Sequence, residues 1–339
     1  MKKYNVAVVG VGAVGEEMLR VLRQRKFPVN ELRVFARSAR EIIVDDQKYS
    51  VQKIKPDGFQ GVDIALFAGT EGEKGAAVTY APEAVKRGAL VIDNGADFRL
   101  KKGVPLVVPE VNPQDAKRHK GIIANPNCST IQLVVACAPI YKEAGIKRMI
   151  VVTYQAASGA GRAAVDELIR QSREFLVSGA VSAVKALPAR IAFNVFPQIG
   201  SFQEAGYTTE EWKTVRETQK ILHDKKIKIS STTARVPVAT GHSQAVYLET
   251  VRKISAGKAR ELLRKAKGIK VIDQAKGKEG RTYPQAIDAP GRDEVLVGRV
   301  RQDPFVKNGL WLWVVADNLR KGAALNAVQI AELVCAISS

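Results

Sequence analysis

The chain has 339 residues, of which 46% are apolar and 26% are charged, as in a globular protein with room for two domains. Its three cysteines are too few for a disulfide framework and indicate a reducing cytoplasm, where a thiol can serve in catalysis. The net charge of +19 comes from dispersed lysines and arginines without a basic arm, an aromatic RNA-binding motif or zinc-ligand spacing. We therefore expect no nucleic-acid partner and no metal.

The amino terminus does not look like a targeting segment, since its short apolar run leads directly into a glycine turn. No apolar stretch approaches the roughly 20 residues of a membrane helix. These features predict a cytoplasmic protein without a membrane partner.

The first part of the chain alternates short strands with helical patterns. The sequence predicts a first strand over Tyr4–Val9 and an amphipathic helix over Ala13–Gln24. Further strands are predicted over Glu31–Ala36, Asp63–Phe67 and Leu90–Asp93, with helical stretches between them. Such alternation predicts a Rossmann-like α/β domain, in which a parallel sheet carries helices on both faces.

A glycine-rich turn joins the first strand to the first helix. Gly10 permits the tight turn, Gly12 lets a pyrophosphate approach the backbone, and Gly15 lets the helix pack closely on the strand. The helix N-terminus adds free N–H groups and a positive dipole. Because this pattern follows a strand in an alternating chain, it predicts a dinucleotide site. The predicted contacts are Gly10, Val11, Gly12, Ala13 and Val14.

The end of the second strand bears on which nucleotide binds there. A site for NAD usually has an acidic residue at this point, which bonds the ribose hydroxyls. This chain has no acid and instead offers Arg37, Ser38 and Arg40. Because Arg37 and Ser38 can hold a 2′-phosphate, we expect NADP as the cofactor. For Arg40 taken alone, a side chain that merely faces water is as good an explanation as a contact to the nucleotide.

Cys128 follows Asn125-Pro126-Asn127 and begins an apolar helix, predicted over Ser129–Tyr141 with a break or bend near Pro139. A helix start stabilises a thiolate and exposes the sulfur. Its backbone N–H groups can also hold an oxyanion. Cys128 is therefore a candidate nucleophile, whereas Cys137 and Cys335 lie within apolar helices and are typical of small core residues.

Beyond Arg148 the predicted strands are longer and amphipathic, and they indicate a mixed sheet with helices on one side. A helix closes the chain over Gly322–Ile337. The strands are predicted over Met149–Gln155, Ile227–Arg235, Gln244–Thr250, Val295–Arg301 and Leu310–Val315.

The chain has three histidines, and two of them lie among charged residues. His119 is expected in a solvated turn and His223 at the surface of a helical stretch. His242 follows Gly241 and precedes a strand, which suits a general base, although a histidine that simply caps the strand fits equally well.

These residues fall within longer strings that resemble the aspartate-semialdehyde dehydrogenase family. The nucleophile segment NPNCSTIQ covers Asn125–Gln132, and the string GHS at 241–243 contains His242. The resemblance extends over essentially the whole chain, in register. The other matching strings are PLVVPEVN at 105–112, YQAASGAG at 154–161, NVFPQI at 194–199, RVPV at 235–238 and DNLRKGAA at 317–324.

The resemblance implies NADPH-dependent reduction of L-aspartyl 4-phosphate to aspartate semialdehyde with release of inorganic phosphate, in a homodimer or homotetramer. It implies catalytic roles for Cys128 as nucleophile, His242 as acid/base and Gln155 as the side chain that orients the substrate. It implies an Arg235 contact to the substrate α-carboxylate and a Glu217 contact near its amino group. The other implied contacts are Arg99 and Lys220 to phosphate, Asn127 to substrate, and Ser158, Gly159 and Asn318 to cofactor.

The residues by themselves leave some of these roles open. Glu217 and Lys220 lie three positions apart, so they can share a helix face, but a surface ion pair has the same spacing. A guanidinium on the apolar strand at Arg235 needs an anionic partner, which is either substrate or a buried acid. The glycine loop is one residue shorter than is usual in the family, and Asp97 lies two residues before Arg99.

The resemblance also implies a division into a cofactor domain, 1–128 completed by a C-terminal helix 319–339, and an α+β catalytic and dimerisation domain, 129–318. Two alternatives remain at this point. One is an N-acetyl-glutamyl-phosphate reductase, which uses similar chemistry, and the other is a non-catalytic relative that binds nucleotide.

Overall fold

The computed structural model describes residues 2–69, 75–273 and 282–338. The chain divides into two compact units. The first comprises Met1–Asn127 and Ala323–Ser339, and the second comprises Cys128–Gly322.

The first unit is built on a seven-stranded sheet with the order β3-β4-β2-β1-β5-β6-β7. Every neighbouring pair is parallel except the β3–β4 hairpin. The predicted parallel Rossmann-like sheet is thus confirmed. The strands are β1 Tyr4–Val9, β2 Val29–Ala36, β3 Arg40–Val44, β4 Gln47–Lys53, β5 Ile64–Phe67, β6 Leu90–Asp93 and β7 Ile122–Ala124.

Helices α1 (Ala13–Gln24), α2 (Ala76–Lys86) and α7 (Leu325–Ser338) belong to this unit. Alternate side chains of the central strands, among them Val6, Val8 and Leu66, share one core cluster with buried residues of α1 and α7. A salt bridge joins α7 to the end of α1. It is formed by Glu332 Oε1 and Arg25 Nε, which are 2.7 Å apart. α2 contacts β5 and β6.

The stretch after β2 departs from the sequence prediction. We expected a helical segment between the second strand and Asp63–Phe67, but the chain forms the β3–β4 hairpin and a single 3-10 turn, Pro56–Phe59. Asp45 and Asp46 both have positive φ, 45° and 63°, as a two-residue hairpin turn requires. The polar and charged residues of these two strands obscure the period-2 pattern by which a strand is usually predicted.

The second unit contains a mixed six-stranded sheet with the order β11-β12-β13-β10-β8-β9, which confirms the predicted architecture. β8 alternates buried and less buried residues, and the buried side chains of the sheet include Met149, Leu248 and Val314. The strands are β8 Ile146–Gln155, β9 Lys228–Arg235, β10 His242–Thr250, β11 Ile269–Val271, β12 Val295–Gln302 and β13 Gly309–Ala316.

The helices of this unit are α3 Cys128–Ala144, α4 Arg162–Ser178, α5 Thr209–Ile221 and α6 Ala256–Lys265. α3 is packed against α5, α6 and the sheet. The sequence predicted a break or a bend near Pro139, and α3 is not broken there, since it runs through that residue as one helix. Packing of its buried residues on several sides compensates for the backbone hydrogen bond that proline cannot donate.

The predicted C-terminal helix is present but begins later. A π-helical turn over Arg320–Ala324 precedes α7. Within the described ranges, no helix is both long and apolar enough to cross a bilayer.

Candidate active site

Three neighbouring strands of the second unit bring together three residues predicted to act on substrate. Gln155 ends β8 and is the register partner of Arg235, which ends the parallel strand β9. On the other side of β8, the antiparallel strand β10 begins at His242, and its next residue pairs with Tyr154. The topology therefore places Gln155, Arg235 and His242 side by side at one edge of the sheet.

His242 is fully buried, at 0% exposure. Its Nδ1 accepts a hydrogen bond from the backbone N–H of Ala156 at 3.0 Å. Burial, assisted by the positive charge of Arg235, holds the pKa of the imidazole well below its ordinary value. The ring is therefore neutral, with its proton on Nε2, and no described residue is hydrogen-bonded to that Nε2.

Arg235 is 4% exposed. Its Nη1 donates to the carbonyl oxygen of Ala156 at 2.6 Å, whereas its buried Nε has no hydrogen-bond acceptor within the described residues. Burial lowers the pKa of Arg235 from its ordinary value, and the negative charges of Glu210 and Cys128 oppose that shift. A buried cation with an unsatisfied hydrogen-bond donor is suited to binding an anionic ligand.

The side chain of Gln155 links the strands to helices α3 and α5. Its Nε2 donates to the hydroxyl of Ser129 at 2.8 Å and to Oε1 of Glu210 at 3.1 Å. Ser129 follows Cys128 at the start of α3, and Gln244 donates to its carbonyl oxygen at 2.8 Å. Gln155 is therefore fixed beside the first turn of α3.

Cys128 is the first residue of α3 and is partly exposed. A Cβ placed on Gly322 would lie 2.9 Å from the Cβ of Cys128, so the backbone there approaches the cysteine closely. Cys137 is buried in the same helix, where burial raises the pKa of its thiol to about 12. Burial also raises the pKa of the partly buried Cys335. Cys137 is thus a buried core residue, as predicted, whereas Cys335 is only partly buried.

Three predicted cofactor contacts lie beside this cluster. A Cβ on Gly159 would meet Arg235 Nη1 at 2.9 Å and His242 Cε1 at 3.0 Å, so Gly159 is packed against both side chains. Asn318 Nδ2 donates to the hydroxyl of Ser158 at 2.9 Å, and its Oδ1 accepts from the N–H of Gly241 at 3.0 Å. The structure therefore brings Gly159, Ser158 and Asn318 to the strand ends that carry Arg235 and His242.

Glu217 and Lys220 both lie on α5, as their spacing predicted. Glu217 is 1% exposed, so a surface ion pair does not account for it. It lies seven residues after Glu210, on the same face of the helix. Lys220 is half-buried, one turn further along. Their predicted contacts to substrate and phosphate stay predictions.

In the first unit, the glycine turn has the geometry that a dinucleotide loop needs. Gly10 has φ +97°, and a Cβ on Gly15 would lie 1.8 Å from the Gly10 carbonyl oxygen, so neither position accepts a side chain easily. A Cβ on Gly12, the N-cap of α1, would meet nothing within 4 Å. Protein packing therefore explains Gly10 and Gly15 but leaves space at Gly12, where a ligand can approach. Val11 precedes this N-cap, and Ala13 and Val14 open the helix.

Arg37 and Ser38 follow β2 and are exposed. The N–H of Gly10 donates to the carbonyl oxygen of Phe35 at 2.8 Å, so the glycine turn and the 37–39 loop share one sheet edge. Arg40 opens β3, and its Nη1 lies 3.3 Å from the hydroxyl of Ser38. The loop presents cationic and hydroxyl groups without an acid.

Arg99 is buried, and its guanidinium donates to the carbonyl oxygens of Asn94 at 2.6 Å and Asn125 at 2.9 Å. The backbone thus orients this side chain. Asp97 lies in a turn, with its Oδ2 3.3 Å from the place a Cβ would take on Gly95. Asn127, the residue before Cys128, is also buried. The ligand contacts predicted for Arg99 and Asn127 stay predictions.

The other two histidines are outside this group of residues. His223 is exposed, as predicted. His119 is half-buried rather than solvated, and its Nδ1 accepts the N–H of Gly121 at 3.1 Å.

Sequence reasoning missed Ser129, Glu210 and Gln244, although all three carry hydrogen bonds of the site. For Glu210 a weak signal was present, since Thr208 and Glu211 form a capping box that starts a helix over this acidic pair. For Ser129 and Gln244 the partners are distant in sequence, and no local pattern marks them.

Comparison with known proteins gives a consistent result. Residues 5–119 match the semialdehyde dehydrogenase NAD-binding domain, and residues 137–321 match the semialdehyde dehydrogenase dimerisation domain. The first unit therefore carries a domain for a nicotinamide dinucleotide, and the second carries a domain for oligomerisation.

Relatives match over nearly the whole length. The aspartate-semialdehyde dehydrogenase of Aquifex aeolicus is 50% identical over 97% of each chain. A crystal structure of aspartate semialdehyde dehydrogenase II from Vibrio cholerae, complexed with ASA, is 46% identical with a TM-score of 0.93 over 99% of each chain. The enzyme from Candida albicans, solved with NADP, is 26% identical with a TM-score of 0.72 over 98% of each chain. The chain belongs to the aspartate-semialdehyde dehydrogenase family.

Proposed function

We propose that this chain reduces L-aspartyl 4-phosphate to L-aspartate 4-semialdehyde with NADPH and releases phosphate. This reaction serves the biosynthesis of lysine, methionine, threonine and isoleucine. The names of relatives at 41–50% identity support the activity. The observation that carries the proposal is the grouping of Gln155, Arg235 and His242 at one sheet edge. Gln155 is also hydrogen-bonded to Ser129, the residue after Cys128.

Cys128 acts as the nucleophile in this proposal. Its thiolate attacks the acyl carbon of the substrate, a C–S bond forms, and the C–O bond to phosphate breaks so that phosphate leaves. NADPH, when bound, supplies a hydride to the resulting thioester carbon. The thiohemiacetal then collapses, which releases the aldehyde and returns the thiolate. Such covalent catalysis divides one difficult step into two easier ones.

His242 handles the proton through Nε2, since its Nδ1 is engaged by the Ala156 amide. The Nε2–H donates to the oxygen that gains charge when the acyl carbon becomes tetrahedral. Backbone N–H groups in the first turn of α3 add to that stabilisation. Gln155 orients the substrate beside the sulfur.

The remaining residues hold the substrate. Arg235 pairs with the α-carboxylate, for which its buried, partly unsatisfied guanidinium is suited. Glu217 receives the amino group and Asn127 contacts the substrate, while Arg99 and Lys220 bind the phosphate. A pair such as Glu217 and Arg235 favours a free amino-acid head group over the N-acetylated substrate of the related reductase.

The cofactor in this proposal is NADP, held by the glycine turn at Gly10–Val14 and by Ser158, Gly159 and Asn318. The open space at Gly12 fits a pyrophosphate against the backbone. Arg37 and Ser38 bind the 2′-phosphate. The functional division we propose is a cofactor domain, 1–128 with 319–339, and a catalytic and dimerisation domain, 129–318. The enzyme works in the cytoplasm as a homodimer or homotetramer.

An assay of the reverse reaction tests the function. Purified protein is mixed with aspartate semialdehyde and NADP⁺, and absorbance of NADPH is followed with and without inorganic phosphate. We expect reduction of NADP⁺ that requires phosphate. Turnover with N-acetyl-glutamate semialdehyde alone would favour the related reductase, and no turnover with either aldehyde would favour the non-catalytic alternative.

A further inference from the structure

We propose that Glu210 is a positioning residue that decides which end of the Gln155 amide faces the substrate. The inference rests on the proposed function, in which Gln155 orients the substrate. Glu210 lies in the first turn of α5, is 6% exposed, and reaches Gln155 on β8.

Three oxygen atoms surround one end of the Gln155 amide. They are the Ser129 hydroxyl at 2.8 Å, Glu210 Oε1 at 3.1 Å and the Thr153 hydroxyl at 3.5 Å. A hydroxyl either donates or accepts, so the two hydroxyls are compatible with the NH₂ group or with the carbonyl oxygen. An ionised carboxylate only accepts. Glu210 alone therefore requires the NH₂ group at this end.

Two positively charged side chains lie near the carboxylate of Glu210. Its negative charge acts on the buried guanidinium of Arg235, whose pKa it raises against the effect of burial. Lys213 Nζ lies 3.9 Å from the other carboxylate oxygen. Two cations near one carboxylate offset the cost of removing it from water.

The adjacent acidic residue, Glu211, has a different role. Glu211 accepts the backbone N–H of Thr208 at 2.7 Å and that of Thr233 at 2.9 Å, so it holds the start of α5 to β9. Its contacts are to backbone, whereas Glu210 contacts the amide of Gln155. Glu211 therefore has a structural role, whereas Glu210 has the positioning role.

The orientation of the amide determines what Gln155 offers a ligand. With NH₂ turned to Ser129 and Glu210, the carbonyl oxygen is at the opposite end, and no described residue donates to it. Gln155 is then a hydrogen-bond acceptor for an N–H or O–H group of the substrate. Donors to the developing oxyanion must come from elsewhere, such as His242 Nε2–H.

Glu210→Gln tests the proposal, because glutamine fills the same space without requiring a donor opposite it. We expect kcat/KM in the phosphate-dependent assay to fall by roughly 10–100-fold, as for a misplaced substrate-orienting group, with an unchanged unfolding temperature. Lys213→Ala, which removes the ion pair and leaves the amide contact, should keep activity within about threefold. Glu211→Gln should lower the unfolding temperature and leave kcat nearly unchanged.

An exchange of the two side chains gives a second test that a purely structural role would not pass. Gln155→Glu alone places two carboxylates in contact and should also lose activity. In the double variant Glu210→Gln/Gln155→Glu, the amide at 210 donates to the carboxylate at 155, which again presents an acceptor to the substrate. We expect the double variant to be at least tenfold more active than either single variant.

Wild-type kcat/KM in Glu210→Gln, or a double variant no better than the single variants, would overturn the role of Glu210. Both results count only if the wild-type enzyme shows phosphate-dependent turnover. If it does not, the proposed function fails instead, so the two failures are distinguishable.

Discussion

The imidazole of His242 is oriented by a single backbone group, the N–H of Ala156, which donates to Nδ1 at 3.0 Å. Because that nitrogen must keep a lone pair toward the amide, the neutral ring carries its proton on Nε2. A proton on Nδ1 would put two donors in contact. Proton transfer at this residue is thus directed to Nε2, the atom that lies beside Gly159.

This arrangement predicts how stability depends on pH. The folded-state pKa of His242 is well below its ordinary value because of burial and Arg235, so below about pH 6.5 the unfolded chain binds a proton that the folded chain does not. Stability should therefore fall as pH decreases through that range. The contribution of His242 to the slope reaches at most about 1.4 kcal/mol per pH unit.

Urea unfolding from about pH 7.5 down to about pH 5 measures this slope across the histidine range. His242→Asn keeps an acceptor for the Ala156 amide and should flatten the dependence. His119, whose pKa burial also lowers, contributes to the same window, so His119→Asn is the comparison. Equal slopes in wild type and His242→Asn would contradict the buried neutral imidazole.

The glycine turn gives a prediction with a matched pair of variants. In Gly15→Ala the new Cβ would lie 1.8 Å from the Gly10 carbonyl oxygen, so the free energy of unfolding should fall by about 1–3 kcal/mol. In Gly12→Ala the Cβ meets nothing, so stability should change by less than about 1 kcal/mol while the affinity for NADP⁺ falls. Thermal unfolding and a fluorescence titration separate the two effects. Unchanged affinity in Gly12→Ala would show that the dinucleotide does not approach this position.

The elements framing that turn were the easiest to predict. The bounds of Tyr4–Val9 and Ala13–Gln24 agree between sequence and structure, because an apolar run, a glycine turn and a 3.6-residue period are all local signals. The β3–β4 hairpin was missed because its residues are mostly polar and exposed. A local sequence pattern therefore predicts a strand or helix correctly only where it identifies the apolar face of that element unambiguously.

The site shows the same limit. Cys128 and His242 were found from short strings of unusual residues, which the family resemblance reinforced. The contact between Gln155 and Glu210 spans 55 positions of the chain and depends on how β8 lies against α5. No periodicity or local motif encodes such a contact, so only the fold reveals that an acid beside the helix cap reaches the side-chain amide of Gln155.

Nucleotide preference should follow from the loop after β2. Arg37 and Ser38 are exposed at the sheet edge that carries Gly10, and no acid lies among residues 37–40 to bond a ribose 2′-hydroxyl. We expect the wild-type enzyme to prefer NADP⁺ over NAD⁺. Arg37→Asp should reduce kcat/KM for NADP⁺ more than for NAD⁺, because the carboxylate repels a 2′-phosphate. Comparable efficiency with both nucleotides in the wild type would contradict the assignment.

The last prediction concerns the three thiols. Cys128 should react fastest with iodoacetamide near neutral pH, because it is partly exposed at the start of α3, in the field of Arg235. Cys137 should stay unlabelled in the folded protein, since it is fully buried with a pKa of about 12. Cys335 should react slowly, because burial raises its pKa too.

Peptide mapping after brief alkylation, with activity measured on the same sample, identifies the essential thiol. Cys128→Ser should retain its fold and NADP⁺ affinity but lose nearly all turnover, since a serine hydroxyl stays protonated and is a poor nucleophile. His242→Ala should slow turnover by about 10²–10⁴-fold, as expected for a lost general acid/base. Phosphate should slow the labelling of Cys128 if Arg99 and Lys220 hold that anion next to the sulfur. Full activity in a sample whose Cys128 is completely alkylated would contradict the thioester mechanism, because the blocked sulfur cannot attack the substrate.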